Sequence, residues 1–313
     1  VGNFTRPWCT EVHVAETLER VAGATVVRLQ ENDVRPERLV DVGSSVDLLL
    51  YTRTWGLDYE STVDVFRTVE QAGTRTASFH LDLFHGLDRE PLVGSDPLFE
   101  TDVVFTADGD HDSEWVAAGV THEWLRPGVW RPECYVSTRE SRAARRTRVG
   151  FVGSDPSVYH SEWTYRRDLV DECRRRWPRS FRQWGAPGRV LRGDDLNALY
   201  ANLPVVVGDT LSVERRSARY WSDRVYETLG RGGLLVLARI DALVDELSDV
   251  PGVSWYEWGD WDQMANRLDE FAVLDRTSSR QIRERSSSIV AERCSYDVRI
   301  RTMLDHLDLK SGG

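Results

Sequence analysis

Apolar residues along this chain follow two repeating patterns. Short continuous runs, at 46–51 and 234–237, are typical of parallel strands that are buried on both faces. Between such runs, apolar residues recur every three or four positions, as Val14, Leu18 and Val21 do, and this spacing predicts amphipathic helices. Because strand-like and helix-like segments alternate, the chain is predicted to be an α/β protein with parallel sheets.

The alternation begins at residue 1 and restarts at residue 149. Residues 1–3 are expected to end a first strand whose opening residues have been trimmed. The other elements predicted in the first half are strands at 24–29, 46–51, 74–79, 103–105 and 121–125, with helices at 11–21, 60–71 and 113–118. Those predicted in the second half are strands at 149–152, 181–184, 205–207, 234–237 and 253–256, with helices at 163–176, 196–201, 223–230, 242–247, 261–271, 278–293 and 296–307.

Two successive parallel sheets of similar size predict two Rossmann-like domains that face a central cleft. We expect the N-terminal domain to span 1–130 and the C-terminal domain to span 149–290. The segment 131–148, which is rich in arginine, is expected to be a linker, and 291–313 a C-terminal helix and tail.

Composition places the chain among soluble globular proteins. Of its 313 residues, 41% are hydrophobic and 29% are charged. No apolar run approaches the roughly 20 residues of a membrane helix, and no signal peptide is visible, so neither a membrane partner nor export is expected. The four cysteines are scattered without a CxxC pair, which argues against a zinc knuckle or a disulfide framework and favours reduced thiols in a cytoplasm.

Charge narrows the function classes further. A net charge of −11 argues against a protein that coats nucleic acid nonspecifically. Two arginine clusters, at 139–148 and 174–182, are either solvated surfaces or a local basic face. The only lysine is Lys310, so a P-loop lysine, a pyridoxal-phosphate Schiff base and a kinase-type lysine have no residue to act through.

The segment 221–236 carries the clearest candidate chemistry. Arg224 and Glu227 lie three positions apart at the start of a predicted helix, which Ser222 or Asp223 can cap. A cation at a helix start suits a diphosphate, and a carboxylate one turn later suits a ribose diol. The alternative is a simple salt bridge between the two side chains on a helix that the pair Gly232-Gly233 terminates.

Polar residues near strand ends supply acid–base candidates. His80 and Asp82 follow the strand predicted at 74–79, where ligands meet an open α/β sheet. Asp82 is our first candidate for the base that deprotonates an acceptor hydroxyl, and His80 is the second. His13, near the start of the first helix, is a third candidate. The alternatives are that Asp82 caps a turn and that His13 is a surface or capping residue.

The acidic segment Asp108-Gly109-Asp110 resembles two metal motifs superficially. An EF-hand is excluded because Ser113 replaces the turn glycine and Gly119 replaces the final glutamate. A metal-binding DxD motif is the other alternative, but acids between a strand and a helix are ordinary caps. We therefore predict that these residues cap the following helix and bind no metal.

Motifs spread over nearly the whole chain resemble those of GT-B glycosyltransferases. The similarity is greatest to the "glycosyl transferases group 1" C-terminal domain of spore-maturation-type and actinobacteriophage-type enzymes. The segments that carry it in the second half are Phe151-Val152-Gly153-Ser154, Arg224-Val225-Tyr226-Glu227, Gly232-Gly233, Tyr256, Tyr296 and Arg299. Those in the first half are Gly2-Asn3-Phe4, Trp8-Cys9-Thr10-Glu11-Val12-His13, His80-Leu81-Asp82-Leu83, Asp96-Pro97 and 105–110.

This resemblance implies that a nucleotide-sugar donor, most simply UDP-glucose, binds the C-terminal domain and that the acceptor binds the N-terminal one. No other cofactor is implied. The donor residues implied are Arg224, Glu227, Gly153, Ser154, Asp223, Tyr226 and Arg166. The acceptor residues implied are Asn3, Trp8 and Glu11.

The resemblance is incomplete at one position. Related retaining enzymes often carry two glutamates eight positions apart, and the position eight before Glu227 in this chain is Arg219. Because the first glutamate is missing, retention of configuration is not implied.

The resemblance leaves the acceptor open. Phage-type relatives suggest a 5-hydroxymethylpyrimidine in phage DNA, which the two arginine clusters would have to contact, in the host cytoplasm. A hydroxyl on a virion protein or a glycan is the alternative. Two further alternatives are a nucleotide-sugar epimerase and a non-catalytic nucleotide-sugar-binding module.

Tyr159, His160 and Trp163 precede or open the same helix as Arg166 and are further candidates near the phosphate site.

Overall fold

The structure is a computed structural model that describes residues 1–54, 56–57, 59–155, 165–209 and 218–309, with only the backbone described at 59–63. The chain packs as two compact units. The first unit comprises Val1–Pro127 and Tyr296–Gly313, and the second comprises Gly128–Ser295. In the part of the chain that is described, no helix is long and apolar enough to cross a membrane.

The first unit contains a parallel sheet of four strands. They are β1 Leu48–Thr52, β2 Arg75–His80, β3 Val103–Thr106 and β4 His122–Trp124, and they lie side by side in this order. Residues 1 and 2 extend this sheet beside β1, because the Thr52 N–H donates to the Val1 carbonyl at 2.9 Å. Gly2 also forms a parallel bridge with Gln30. The order of segments therefore reverses between residues 1–2 and β1, which is a topological switch point.

The helices of the first unit are α1 Thr10–Ala22, α2 Pro36–Gly43, α3 Tyr59–Gln71, α4 Asp112–Ala117 and, from the end of the chain, α11 Tyr296–His306. Helix α1 packs against α11, and α2 packs against α3. The strand predicted at 24–29 is wrong, since only Gln30 pairs with another strand segment. Helix α2 was not predicted, although Pro36 at its first turn is a common helix start.

The second unit contains a parallel sheet of five strands. They are β5 Val149–Val152, β6 Phe181–Trp184, β7 Val205–Val207, β8 Leu235–Ala238 and β9 Val253–Tyr256, in the spatial order β6-β5-β7-β8-β9. The strand order reverses at β5, so the switch point lies between β5 and β7.

Along the chain, the helices of the second unit lie between the strands of this sheet and after the last of them. They are α5 Tyr165–Arg176, α6 Gly193–Asn202, α7 Arg224–Gly230, α8 Asp241–Glu246, α9 Trp261–Ala272 and α10 Arg276–Arg293. These five strands and six α-helices were all predicted, with ends that differ by at most a few residues.

The two segments predicted to lie outside the functional domains both pack within the compact units. The predicted linker, 131–148, belongs to the second unit, where the partly buried Glu133 forms an ion pair with the buried Arg231. The side-chain amide of Asn197 also donates to the Glu133 carbonyl at 2.8 Å. The predicted tail contains α11, which Arg20 and Asp297 tie to α1 with an ion pair of 2.6 Å. The bounds of the functional domains stay a prediction.

Candidate active site

The turn after β5 is closely packed against the turn after β6. The Gly153 N–H donates to the Trp184 carbonyl at 2.8 Å, and the Asp155 N–H donates to the Ala186 carbonyl at 2.7 Å. A Cβ atom on Gly185, whose φ is +152°, would overlap the Gly153 carbonyl oxygen. Glycine is therefore required at Gly185 for the turn Gly153–Ser154 to reach its position at the switch point.

Arg224 opens α7 and packs on this turn. Its Nη1 atom donates to the Val152 carbonyl at 2.9 Å, and a Cβ atom on Gly153 would lie 2.5 Å from the same nitrogen. Burial acts to lower the pKa of Arg224, yet the pKa is raised, because Asp209 and other nearby carboxylates attract the guanidinium. Arg224 is therefore a permanent cation held at the carboxyl end of β5.

Glu227 lies one turn further along α7 and is half-buried. The salt bridge considered as its alternative role is not formed, because Arg224 donates to Val152 instead. Within the described ranges, no side chain donates a hydrogen bond to the Glu227 carboxylate. Its charge acts on Arg231, whose pKa it helps to raise against the lowering effect of burial. The carboxylate oxygens of Glu227 retain their capacity to accept hydrogen bonds from a ligand.

Arg166 and Asp209 form an ion pair that the sequence did not predict. Arg166 is near the start of α5, and Asp209 follows β7 after one glycine. Their side chains are only 7% and 4% exposed, so the charge of Arg166 is neutralised within the protein. Direct contact between Arg166 and a donor stays a prediction. The signal for Asp209 was available, since a polar residue after a strand beside the switch point is a site candidate.

Two other predicted donor residues, Tyr226 and Asp223, form hydrogen bonds with neighbouring side chains. Tyr226 is completely buried, and its hydroxyl accepts from the Trp221 indole N–H at 2.8 Å and donates to Glu246 at 2.8 Å. Tyr226 is therefore a core residue of the second unit. Asp223 precedes α7 but makes no side-chain cap, and its carboxylate accepts from the Ser222 hydroxyl at 2.9 Å.

Two of the predicted acceptor residues lie near the switch point of the first unit. The Asn3 side chain accepts from the Thr5 N–H at 3.1 Å, and Glu11 accepts from the Thr54 hydroxyl at 2.6 Å. Burial raises the pKa of Glu11, although the Thr54 hydrogen bond opposes this effect. The third residue, Trp8, is 45% exposed, and the Arg6 guanidinium lies over its ring at 5.9 Å from the centroid.

The three catalytic candidates differ in exposure. His80 ends β2 and is 8% exposed, and burial lowers its pKa to about 4. Its Nε2 atom lies 3.8 Å from an oxygen of Asp82, which is 42% exposed. Asp82 also accepts from Arg89 at 3.4 Å. His13, in the first turn of α1, is buried.

None of the acids at 108–110 holds the cap position directly before α4, which differs from the prediction. The residue that precedes α4 is His111, and it makes no side-chain cap. Asp108 is instead buried and accepts from His111 Nδ1 at 2.9 Å, which raises the pKa of His111. The His111 ring lies 4.8 Å from that of His85. Among the described residues, no group of three or more His, Cys, Asp or Glu side chains could hold a metal ion.

Much of the positive charge of the two arginine clusters is paired. Arg148, for example, binds Asp269 at 2.8 Å. The other cluster arginines that form ion pairs are Arg139, Arg145, Arg174, Arg175 and Arg176. The clusters are therefore mixed-charge surfaces rather than uniformly basic ones. The remaining sequence candidates, Tyr159, His160 and Trp163, lie outside the described residues.

Comparisons with solved structures find the same architecture. HepE of Anabaena, in complex with UDP and glucose, is 11% identical with a TM-score of 0.60, over 98% of this chain and 97% of that one. Sucrose-phosphate synthase from Thermosynechococcus elongatus is 12% identical with a TM-score of 0.51, over 92% and 82% of the two chains. At these identities the similarity shows the fold, which is GT-B.

Sequence comparison supplies the family. No curated protein matches the chain significantly. The profile described as "Glycosyl transferase-like" matches residues 143–305, which is just over half of the 313 residues. The chain therefore belongs to the glycosyl transferase-like family and is a glycosyltransferase with a GT-B fold.

Proposed function

We propose that this enzyme transfers a sugar from a UDP-sugar donor to an acceptor hydroxyl, and that the donor binds the second unit at the switch point between β5 and β7. The observation that carries this proposal is the position of Arg224 on the turn Gly153–Ser154. Ligands of open α/β sheets bind at such a point. The structural neighbour HepE was solved with UDP and glucose and also with UDP-glucose, which supports a uridine donor.

In this proposal, Arg224 stabilises the negative charge that develops on the diphosphate as it leaves. A fixed guanidinium is well suited to this role, because it needs no reorganisation during the reaction. Glu227 accepts hydrogen bonds from hydroxyl groups of the ribose or the sugar. Tyr226 is left out of the proposed donor site because its hydroxyl is engaged in the core.

For the acceptor, we propose that Asp82 is the general base and that His80 is its neighbour rather than the base. Asp82 is the more exposed of the two, and the low pKa of His80 makes it a weak proton acceptor near neutral pH. As the acceptor oxygen forms its bond to the sugar C1, the bond from C1 to the diphosphate breaks. The hydroxyl proton passes to Asp82, and UDP leaves with the electron pair.

The acceptor class is a separate question. The mixed-charge arginine surfaces give DNA no support beyond the phage-type motifs, and both that branch and the 5-hydroxymethylpyrimidine acceptor stay predictions. A salt-dependent gel shift on hydroxymethyl-modified DNA tests them. Binding with no preference for modified over unmodified DNA would count against a DNA acceptor and favour a glycan or protein hydroxyl.

The experiment for the reaction itself is a UDP-release assay with UDP-glucose, with and without pools of glycan, protein and DNA acceptors. Acceptor-dependent release of UDP is the expected result. Binding of UDP-glucose without release in any pool would instead indicate a binding module. Conversion of the sugar without net transfer would indicate an epimerase.

A further inference from the structure

Asp209 lies at the carboxyl end of β7, beside the switch point of the second unit. It follows β7 after Gly208, and β7 pairs directly with β5. Its side chain is only 4% exposed, so it is shielded from a ligand in solution. A carboxylate at this depth needs a compensating cation.

Arg166 supplies that cation and connects Asp209 to the turn after β5. The Nε atom of Arg166 pairs with Asp209, while its Nη1 atom lies 3.5 Å from the Ser154 carbonyl oxygen. The guanidinium therefore bridges the segments that follow β5 and β7. Because it is buried, it supports the turn from within the unit.

Arg224 contacts the same turn through Val152 and Gly153. Burial acts to lower its pKa, but attraction by Asp209, followed by Asp223 and Glu227, raises it overall. Asp209 is thus the carboxylate that acts most strongly on this arginine. One buried carboxylate consequently influences both arginines at the turn.

We propose that Asp209 is a positioning residue of the donor site, which fixes Arg166 beneath the turn Gly153–Ser154, the turn on which Arg224 packs. This inference rests on the proposed function, since it assumes that Arg224 meets the donor diphosphate. A carboxylate repels a diphosphate, so Asp209 acts through its ion pair with Arg166 and not by contact with the donor.

The test replaces the buried pair together. Asp209→Asn alone leaves Arg166 buried without a counter-ion, which is expected to destabilise the fold. The double variant Asp209→Asn/Arg166→Met removes both charges at similar side-chain length. The matched control is Arg267→Met/Glu270→Gln, which removes an exposed pair of 3.0 Å on α9.

UDP is the probe, and its affinity is measured by isothermal titration calorimetry. We expect the double variant to bind UDP on the order of 10-fold more weakly than the wild type, because a displaced charged group loses much of its effect. The control is expected to bind as the wild type does. Wild-type affinity in a folded double variant would overturn the inference while leaving the proposed function intact.

A second measurement needs no donor. In the double variant the turn Gly153–Ser154 loses its support from Arg166, so Arg224 is expected to become more accessible and phenylglyoxal to modify it several-fold faster, as followed by peptide mass spectrometry. If the wild type binds no UDP, the proposed donor fails, and this rate still decides the inference. If the double variant does not fold, Asp209→Glu is tested in both measurements, and unchanged values for it overturn the inference.

Discussion

The carboxyl ends of the two sheets carry different kinds of charge. In the first unit the polar groups include His80, Asp82, His111 and Asp108, and the two histidines are titratable groups whose pKa values their surroundings shift. In the second unit they are Arg224, Arg166 and their carboxylate neighbours, in which the guanidinium charges persist at any physiological pH. The difference suits a division of labour, in which fixed cations bind a diphosphate and titratable groups handle a proton.

Within the first unit, the two histidines are shifted in opposite directions. Burial lowers the pKa of His80 to about 4, whereas the hydrogen bond to Asp108 raises the pKa of His111. The local environment, and not the residue type, therefore decides the direction in which each imidazole pKa is shifted.

The largest effect is expected from Arg224→Ala. Loss of the only arginine that we propose to contact the diphosphate should lower kcat/KM for transfer by roughly 100- to 1,000-fold. The measurement is steady-state UDP release, with thermal unfolding as a check of the fold. Arg280→Ala, which breaks an exposed pair with Glu284, is the control. Near-wild-type turnover in Arg224→Ala would contradict the proposal that Arg224 lies in the donor site.

The next effect concerns acid stability of the first unit. The unfolded chain binds a proton at His80 near pH 6.5 and the folded chain near pH 4, so the unfolded state gains protons first as the pH falls. The free energy of unfolding should therefore fall by about 3 kcal/mol between these values. Urea unfolding at several pH values measures it. His80→Gln should flatten this dependence, and an unchanged pH profile in that variant would contradict the assignment.

A smaller effect is expected from Tyr226→Phe. Removing the hydroxyl leaves the Trp221 N–H and the Glu246 carboxylate without this partner and should cost about 1–2 kcal/mol of unfolding free energy. UDP affinity should not change. Tyr135→Phe, which removes an exposed hydroxyl bonded to Asp194, is the control for stability. Weaker UDP binding in Tyr226→Phe would restore the donor role predicted from sequence.

The smallest effect is expected from Asp108→Asn. Without the carboxylate, the pKa of His111 should fall toward its ordinary value, and an NMR titration of the histidine ring protons measures it. The sign for stability is opposite to that of His80. A raised pKa stabilises the folded state at acid pH, and this contribution is lost as the pH rises through the folded-state value. An unshifted His111 in the variant would show that Asp108 does not control it.

Most strands and helices of the second unit could be predicted because their signals are local. Continuous apolar runs such as Val205–Val207 permit few alternatives once helices flank them. The first unit was harder, since residues 24–29 have strand-like composition but only Gln30 finds a pairing partner. Helix α2 was missed because its eight residues span only about two turns, too few for the apolar spacing to repeat.

The sequence by itself determined the α/β class, the position of the turn Gly153–Ser154 and the place of Arg224 at a helix start, because these depend on periodicity and on motifs a few residues long. Only the tertiary structure decided that Arg166 pairs with Asp209 and that Tyr226 points into the core. It also decided that Asp108 holds His111 instead of capping α4. These outcomes depend on partners that lie on other segments or on side-chain direction, and burial then sets the charge state of each group.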